Sequence, residues 1–248
     1  MLAIITGASS GIGKELAFQL AKKNYDLILV SRSENRLKEI KKNLIEYNID
    51  VQVKVYDLSI LDNCKLLIDD VKNLNIDLLF NNAGFGIYGY SNIVDVDKEL
   101  NMIDLNIKSL HYLTKAAIKQ MEKGQIINVS SMAAFLPTPL LSSYAATKAY
   151  VYSYSQALRY ELKKQKIPIN IMTVCPGPVK TNFNQNANAS PKMKGIDVSD
   201  CVKSIMIGLK KRKGLVIPSF KMKLLKLLLK VTPNHLVMKI AHKIQSKK

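Results

Sequence analysis

An α/β fold, a doubly wound parallel sheet of about seven strands with helices on both faces, is what this sequence predicts. Three observations predict it. Short apolar runs of four to six residues (Leu2–Ile5, Leu27–Val30, Val51–Val55, Asp77–Phe80, Ile126–Val129 and Ile169–Val174) read as buried strands. Between them lie longer segments with apolar residues at helical spacing, and such alternation places helices over a parallel sheet. The turn after the first run is rich in glycine, T-G-A-S-S-G-I-G over residues 6–13.

That turn opens the first βαβ unit. A helix with the apolar stripe Leu16, Ala17, Leu20 and Ala21 follows, then the second strand. Thr6, Gly7, Ser9, Ser10, Gly11, Ile12 and Gly13 form a turn over which backbone can approach a pyrophosphate. The helix amino terminus behind them offers unpaired N–H groups and a positive dipole end. The spacing is Gly-x-x-x-Gly-x-Gly, distinct from the commoner G-x-G-x-x-G dinucleotide pattern.

Strand two ends in Ser31-Arg32 with no carboxylate at its end. An acid there would grip the adenosine ribose, whereas an arginine accommodates a 2′-phosphate, so Arg32 favours NADP(H) over NAD(H). Lys38 is a weaker helper. A lysine-rich helix over about 34–47 leads to strand three, and Asp57 and Leu58 follow it. Asp57 is read as reaching the adenine amino group, or as capping the helix of residues 61–71. Strand four runs into N-N-A-G at 81–84, placing Asn81, Ala83 and Gly84 beside the cofactor. The Phe85–Tyr90 loop suits an apolar ligand.

The segment 96–121 reads as one long helix, with Asn106 an amide among apolar neighbours that needs a partner. After strand five comes S-M-A-A-F-L-P-T-P-L-L-S-S-Y-A-A-T-K, residues 131–148. Pro137 and Pro139 force an irregular connection, and Ser142 or Ser143 caps a new helix. Tyr144 and Lys148, four apart, share one face of it. An ammonium beside a phenol favours phenolate, so the tyrosine pKa is expected to fall toward neutrality.

Strand six leads to C-P-G-P-V-K-T at 175–181, residues 182–195 read as a lid-like loop, Asp197 caps a helix to about Leu209, and Leu215–Ile217 is a last strand. The tail, 219–248, is read as a basic helical extension of the 1–218 domain. Lys223, Lys226 and Lys230 share one helix face, with Phe220, Leu224, Leu225, Leu227, Leu228 and Val231 opposite. Pro233 ends this helix; Asn234 caps the next, which carries Leu236, Val237, Ile240 and Ile244 across from Lys239 and Lys243.

Together these motifs resemble the short-chain dehydrogenase/reductase family: T-G-A-S-S-G-I-G, N-N-A-G, Asn106, N-V-S-S at 128–131, Y-A-A-T-K at 144–148 and P-G at 176–177, in that order. The resemblance covers roughly residues 1–217 and implies a Rossmann-like sheet of seven parallel strands. It implies Tyr144 as general acid or base and Lys148 as the group that holds the nicotinamide ribose. Ser131, thirteen residues before Tyr144, polarises the substrate oxygen in preference to Ser130. Asn106 holds a water that links Lys148 to solvent, and Pro176, Gly177, Val179 and Thr181 contact the nicotinamide end. It also implies a homodimer or tetramer built on the helices of 96–121 and 144–165. The expected reaction interconverts a carbonyl and an alcohol with NADP(H), NAD(H) being the lesser cofactor. The Phe85–Tyr90 loop and apolar Phe135, Leu136, Leu140 and Leu141 near the site predict a small-molecule substrate that is an apolar carbonyl compound: acyl, lipid-like or a ring ketone. The competing class is a non-catalytic nucleotide-binding scaffold on the same fold.

Composition narrows the setting. The chain has 248 residues, a net charge of +18 and three widely spaced cysteines without disulfide or metal spacing. Thirteen lysines and arginines follow Asp200 and no acid does, so most of the excess charge sits at the end. Three readings of that tail stand open: packing on the domain or across an oligomer, attachment to an anionic membrane, and nucleic-acid binding, the last disfavoured because no zinc or RNP-like motif accompanies it. No apolar run is long enough to span a bilayer. The expected location is the cytoplasm, with contact at the inner membrane surface through the tail.

Overall fold

The structure, a computed structural model, describes residues 1–183 and 195–246. Seven strands form one parallel sheet: β1 Leu2–Thr6, β2 Asp26–Ser31, β3 Val51–Val55, β4 Leu78–Asn81, β5 Gly124–Val129, β6 Ile169–Val174 and β7 Leu215–Val216. Their order is β3-β2-β1-β4-β5-β6-β7, so the order reverses between β1 and β4. Ligands of open α/β sheets bind at the carboxyl ends of strands beside such a switch point.

Both faces of the central strands are buried, which is why β1, β2 and β4 read as nearly continuous apolar runs, whereas the edge strand β3 is mixed. Side chains alternate: Ile5, Leu29 and Phe80 face one layer, while Ile4, Ile28 and Leu79 face the other. The first layer is covered by α1 (Gly11–Ala21), α2 (Glu34–Asn43) and, later in the chain, α7 (Val198–Lys210). The second is covered by α3 (Leu61–Val71), α5 (Leu110–Gln120) and α6 (Ser142–Lys164), through Leu67, Leu113, Leu158 and Leu162.

The long helix expected over 96–121 is divided. It runs as α4 (Val96–Ile103), widens into a π-helical turn over Asp104–Ser109, and resumes as α5. The wide turn swings Asn106 inward, where its amide is fully buried and bonded to two other segments. π-turns of this kind often mark functional positions.

Three expected caps differ as well. The residue before α6 is Leu141, without a side-chain cap, and Ser143 instead donates to Glu99. Asp57 closes a local turn by accepting from the N–H and hydroxyl of Ser59, at 3.0 and 2.7 Å, so it is not the cap of α3. Asn234 is the first residue of its helix, after Pro233, and caps nothing. Asp197 does precede α7, but its carboxylate pairs with Lys180 at 2.9 Å.

Helices α8 (Phe220–Leu229) and α9 (Asn234–Gln245) finish the described chain. They fold back over the carboxyl edge of the sheet. Met222 seats against Gly177, where any side chain on the glycine would collide with it. Lys226 lies 4.6 Å above the ring of Phe135, Tyr88 donates to the carbonyl of Gln245 at 2.7 Å, and Tyr90 meets His242 at 3.3 Å. Among the described residues no helix is long and apolar enough to cross a membrane.

Candidate active site

One cavity of about 730 Å³ runs along the switch point, from Arg32 at one end to the tail helices at the other. Its first part is lined by Gly7, Ser9, Ser10, Gly11, Ile12, Arg32, Asp57, Leu58, Ala83 and Gly84. The wall is a cradle in which added side chains do not fit. Gly7 has φ +65°, and a Cβ there would lie 2.8 Å from the amide nitrogen of Asn82. A Cβ on Gly13 would lie 2.4 Å from the carbonyl oxygen of Gly7. The first turn of α1 carries no acid and no side-chain cap, so its N–H groups and dipole face the cavity unopposed. This surface fits a pyrophosphate.

Four expected cofactor or catalytic residues stand behind that wall rather than on it. Gly13 serves by letting α1 pack on the turn. Thr6 accepts the backbone N–H groups of Asn82 and Ala83, both at 3.0 Å, and so ties β1 to the N-N-A-G turn. Asn81 points into the buried layer, donating to Thr114 at 3.1 Å and Asn128 at 3.0 Å. Its neighbour Asn82, which the sequence reading passed over, lines the cavity and donates to the carbonyls of Thr6 and Gly7. The amide of Asn106 donates to Phe85 O at 2.9 Å and Thr147 Oγ1 at 3.1 Å. Its oxygen accepts from Phe85 N–H at 3.2 Å, so the side chain pins loop to helix.

At the Arg32 end, the guanidinium lies 3.5 Å from Asp57 and is largely exposed. The turn formed with Ser59 and the nearby Arg32 hold the Asp57 carboxyl below its ordinary range, despite partial burial. Arg36, which the sequence reading missed, lines the cavity beside Ser31 and Ser33. Lys38 pairs with Glu34 and stays outside.

Tyr144 and Lys148 sit at the bend of the cavity, both almost fully buried. The Lys148 ammonium donates to the Val129 carbonyl at 3.0 Å and lies 5.8 Å from the centre of the Tyr144 ring. Ser130 is turned away, donating to the Lys148 carbonyl at 2.6 Å. Ser131 lines the cavity, and its oxygen accepts from Ala133 N–H at 3.1 Å while its hydroxyl faces the Tyr144 phenol. A side chain on Gly84 would strike Asn106 and lie 3.3 Å from Lys148 Nζ, so the glycine keeps open the space beside the ammonium.

The expected fall of the tyrosine pKa is not what the geometry gives. Burial drives the Tyr144 phenol up to about 12, with the Ser131 hydroxyl pulling weakly the other way. Burial likewise lowers Lys148 to about 8. In both groups desolvation, which disfavours the charged form, is the largest cause. Cys175, beneath them, is pushed up to about 12 and stays a neutral thiol.

The short chain dehydrogenase family model matches residues 1–192. The chain belongs to the short-chain dehydrogenase family. Its members are NAD(P)-dependent oxidoreductases acting on CH–OH groups. A very-long-chain 3-oxoacyl-CoA reductase of Rattus norvegicus is 36% identical over 174 residues, 66% of this chain and 55% of that protein. This short-chain dehydrogenase thus spans little more than half the length of that relative. An 11-beta-hydroxysteroid dehydrogenase 1A of Arabidopsis thaliana is 33% identical over 240 residues, 88% of this chain and 68% of that one. Among solved structures, a short-chain dehydrogenase from Sphingobium yanoikuyae in complex with NADPH superposes with a TM-score of 0.84 at 26% identity, covering 100% of this chain and 97% of that one. The bulky-bulky ketone specific alcohol dehydrogenase of Comamonas testosteroni gives 0.80 at 26% identity, covering 100% and 96%.

The far end of the cavity in this short-chain dehydrogenase is apolar. The core domain supplies Phe85, Leu136, Leu141 and Phe183, and the tail supplies Met222, Leu225, Leu229, Val237, Ala241 and Ile244. Of the aromatic loop only Phe85 reaches the cavity; Tyr88 and Tyr90 tether α9. Phe135 packs on Tyr152 and Lys226 instead. The lid expected over 182–195 falls mostly on 184–194, outside the described residues.

Proposed function

We propose that this enzyme is an NADP(H)-dependent reductase that converts a carbonyl to an alcohol on an apolar, lipid-like substrate, such as a 3-oxoacyl chain or a bulky ring ketone. One observation carries the reading: the cavity joins a phosphate cradle to an apolar chamber, with Tyr144 and Ser131 at the junction. The relatives named for very-long-chain 3-oxoacyl-CoA and 11-beta-hydroxysteroid substrates support the same class.

The chemistry follows from the side chains. A bound nicotinamide supplies hydride to the carbonyl carbon. Tyr144 remains protonated at neutral pH because its pKa lies near 12, and so serves as the donor to the carbonyl oxygen as negative charge builds there. Ser131, whose hydroxyl faces the Tyr144 phenol, would donate to the same oxygen. Lys148, near 8, exchanges protons close to neutrality and can restore the proton that Tyr144 gives up. Its ammonium also reaches the space kept open by Gly84, where a ribose hydroxyl would accept from it. Gly7, Ser9, Ser10, Gly11 and Ile12 would hold the pyrophosphate; Pro176, Gly177, Val179 and Thr181 would flank the nicotinamide. Asn106 acts by position, fixing Phe85 and Thr147.

Preference for NADP(H) rests on Arg32, with Arg36 beside it. An exposed pair such as Arg32–Asp57 is worth at most about 1 kcal/mol, so the guanidinium can turn to a 2′-phosphate. Arg32→Ala should raise KM for NADPH by about 10- to 100-fold, the loss of one charge-assisted contact of about 1.5–3 kcal/mol. KM for NADH should barely move, which steady-state kinetics with both cofactors will show. Equal losses would remove Arg32 from phosphate recognition.

The substrate class is tested by following NADPH absorbance with 3-oxoacyl thioesters of increasing chain length, bulky ring ketones and small sugars. Rising kcat/KM with apolar size is the expected result; activity confined to sugars would overturn it. Assembly as a homodimer or tetramer through α4, α5 and α6 belongs to the same reading. It is supported by exposed apolar residues on these helices, Val96 and Leu100 on α4 and Tyr150 on α6.

A further inference from the structure

The tail helices carry more apolar surface than the cavity uses. On α8 the residues turned inward are Met222, Leu225 and Leu229, spaced three and four apart. A second stripe, Phe220, Leu224, Leu227, Leu228 and Val231, follows the same helical spacing on another face and is exposed, Phe220 by 78% and Val231 by 80%. The apolar arc of the sequence therefore splits into a docked stripe and a free one. On α9, Val237 and Ala241 are buried while Leu236 and Ile240 are exposed. Leu228 and Ile240 belong to both sets: each is more than half exposed, and each lines the cavity. Through these two residues the chamber's lining is continuous with the outer apolar surface of both helices.

Exposed lysines accompany the free stripe: Lys221 and Lys223 on α8, Lys230 just after it, and Lys239 and Lys243 on α9, with no acid anywhere on either helix. This charge decides the occupant. A second copy would bring the same lysines face to face, and nucleic acid offers little to a stripe of leucines. An anionic bilayer satisfies both features at once, taking the apolar stripe at the level of its headgroups and acyl chains and the lysines at its surface.

We infer that the outer face of α8 and α9 docks on an anionic lipid surface, so that the chamber opens into the bilayer and lipid-like substrates enter between Leu228 and Ile240 without crossing water. This deepens the proposed function and rests on its apolar chamber. Phe220, Leu227 and Val231 do not line the cavity, so they can be changed without touching the chemistry.

The test uses the full chain with vesicles of phosphatidylcholine, with and without phosphatidylserine. Sedimentation should show binding to the mixed vesicles that weakens with salt, each lysine near the surface contributing about fivefold at low salt. Phe220→Gln, Leu227→Gln and Val231→Gln together should weaken partitioning by about tenfold or more. Turnover of a water-soluble ketone in the absence of lipid should be unchanged, and so should the melting temperature. Failure of the unmodified chain to bind mixed vesicles would overturn the docking, as would equal binding by the triple variant. So would light scattering that shows a dimer dissolved by the triple variant, which would give the face to a second copy. Because ketone turnover is read without lipid, its loss would indict the proposed reductase reaction and not the docking.

Discussion

Tyr144→Phe should lower kcat by about 10³-fold while NADPH still binds, since a positioned general acid contributes about 10² to 10⁴. The change removes one oxygen and keeps the ring, which packs 5.4 Å from that of Phe183. Cofactor surfaces at the glycine turn and Arg32 are untouched. Fluorescence titration with NADPH and single-turnover kinetics on the same preparation separate the two effects. A variant that keeps its rate would hand the proton to another group. Cys175 is a poor candidate, being fully buried with its thiol held near 12. The direction of the reaction also enters here. A phenol that holds its proton to about pH 12 is ready to donate, so reduction should run well at neutral pH, whereas the reverse reaction should accelerate as pH rises.

How much of this was legible in the sequence depends on whether the signal was local. Tyr144 and Lys148 reveal themselves by a four-residue spacing, because one helix fixes both. Gly7, Gly11 and Gly13 do so because a tight turn tolerates nothing larger at two of them in this packing. The seven-strand alternation is equally local, and the switch point between β1 and β4 follows from how such units wind.

Features that depend on a distant neighbour were not legible. Asn81 and Asn82 are adjacent and chemically identical, and only the exact end of β4 decides which one turns into the buried layer. Asn106 shows in the sequence only as an amide in need of partners; that these are Phe85 and Thr147 is decided by the π-turn, a geometry that no helical wheel shows. In the tail, a wheel shows one broad apolar arc. That its Leu225 side docks while its Leu224 side stays exposed is set by Gly177, Phe135 and Tyr152, which lie far away in the chain. The phenol's pKa was misjudged for the same reason: spacing reveals a neighbouring charge but not how much water is lost.

That loss of water makes Lys148→Met a variant with two opposite effects. Activity should fall by about 10²-fold or more, since a buried charge that acts on the reacting groups is removed. Stability without cofactor should rise. A depression from 10.5 to about 8 means that holding the ammonium in the folded protein costs about 3 kcal/mol at neutral pH. Methionine matches the lysine stem in shape and carries no charge. It forfeits the bond to the Val129 carbonyl, worth about 1 kcal/mol, leaving a net gain of about 2 kcal/mol. The sign with pH is fixed. Because the folded pKa is depressed, the stability of the unmodified protein is fully restored above 10.5 and lost as pH falls through about 8. The variant's advantage should therefore be largest below pH 8 and fade toward pH 10.5. Tyr144, raised to about 12, costs both proteins stability only above about pH 10, where the unfolded phenol ionises and the folded one does not. Urea unfolding of both proteins at pH 7 and pH 10, without cofactor, reads the difference directly. If Lys148→Met unfolds at lower urea at pH 7, the ammonium is a net stabiliser, and its burial is not the stored cost that holds this residue ready for proton transfer.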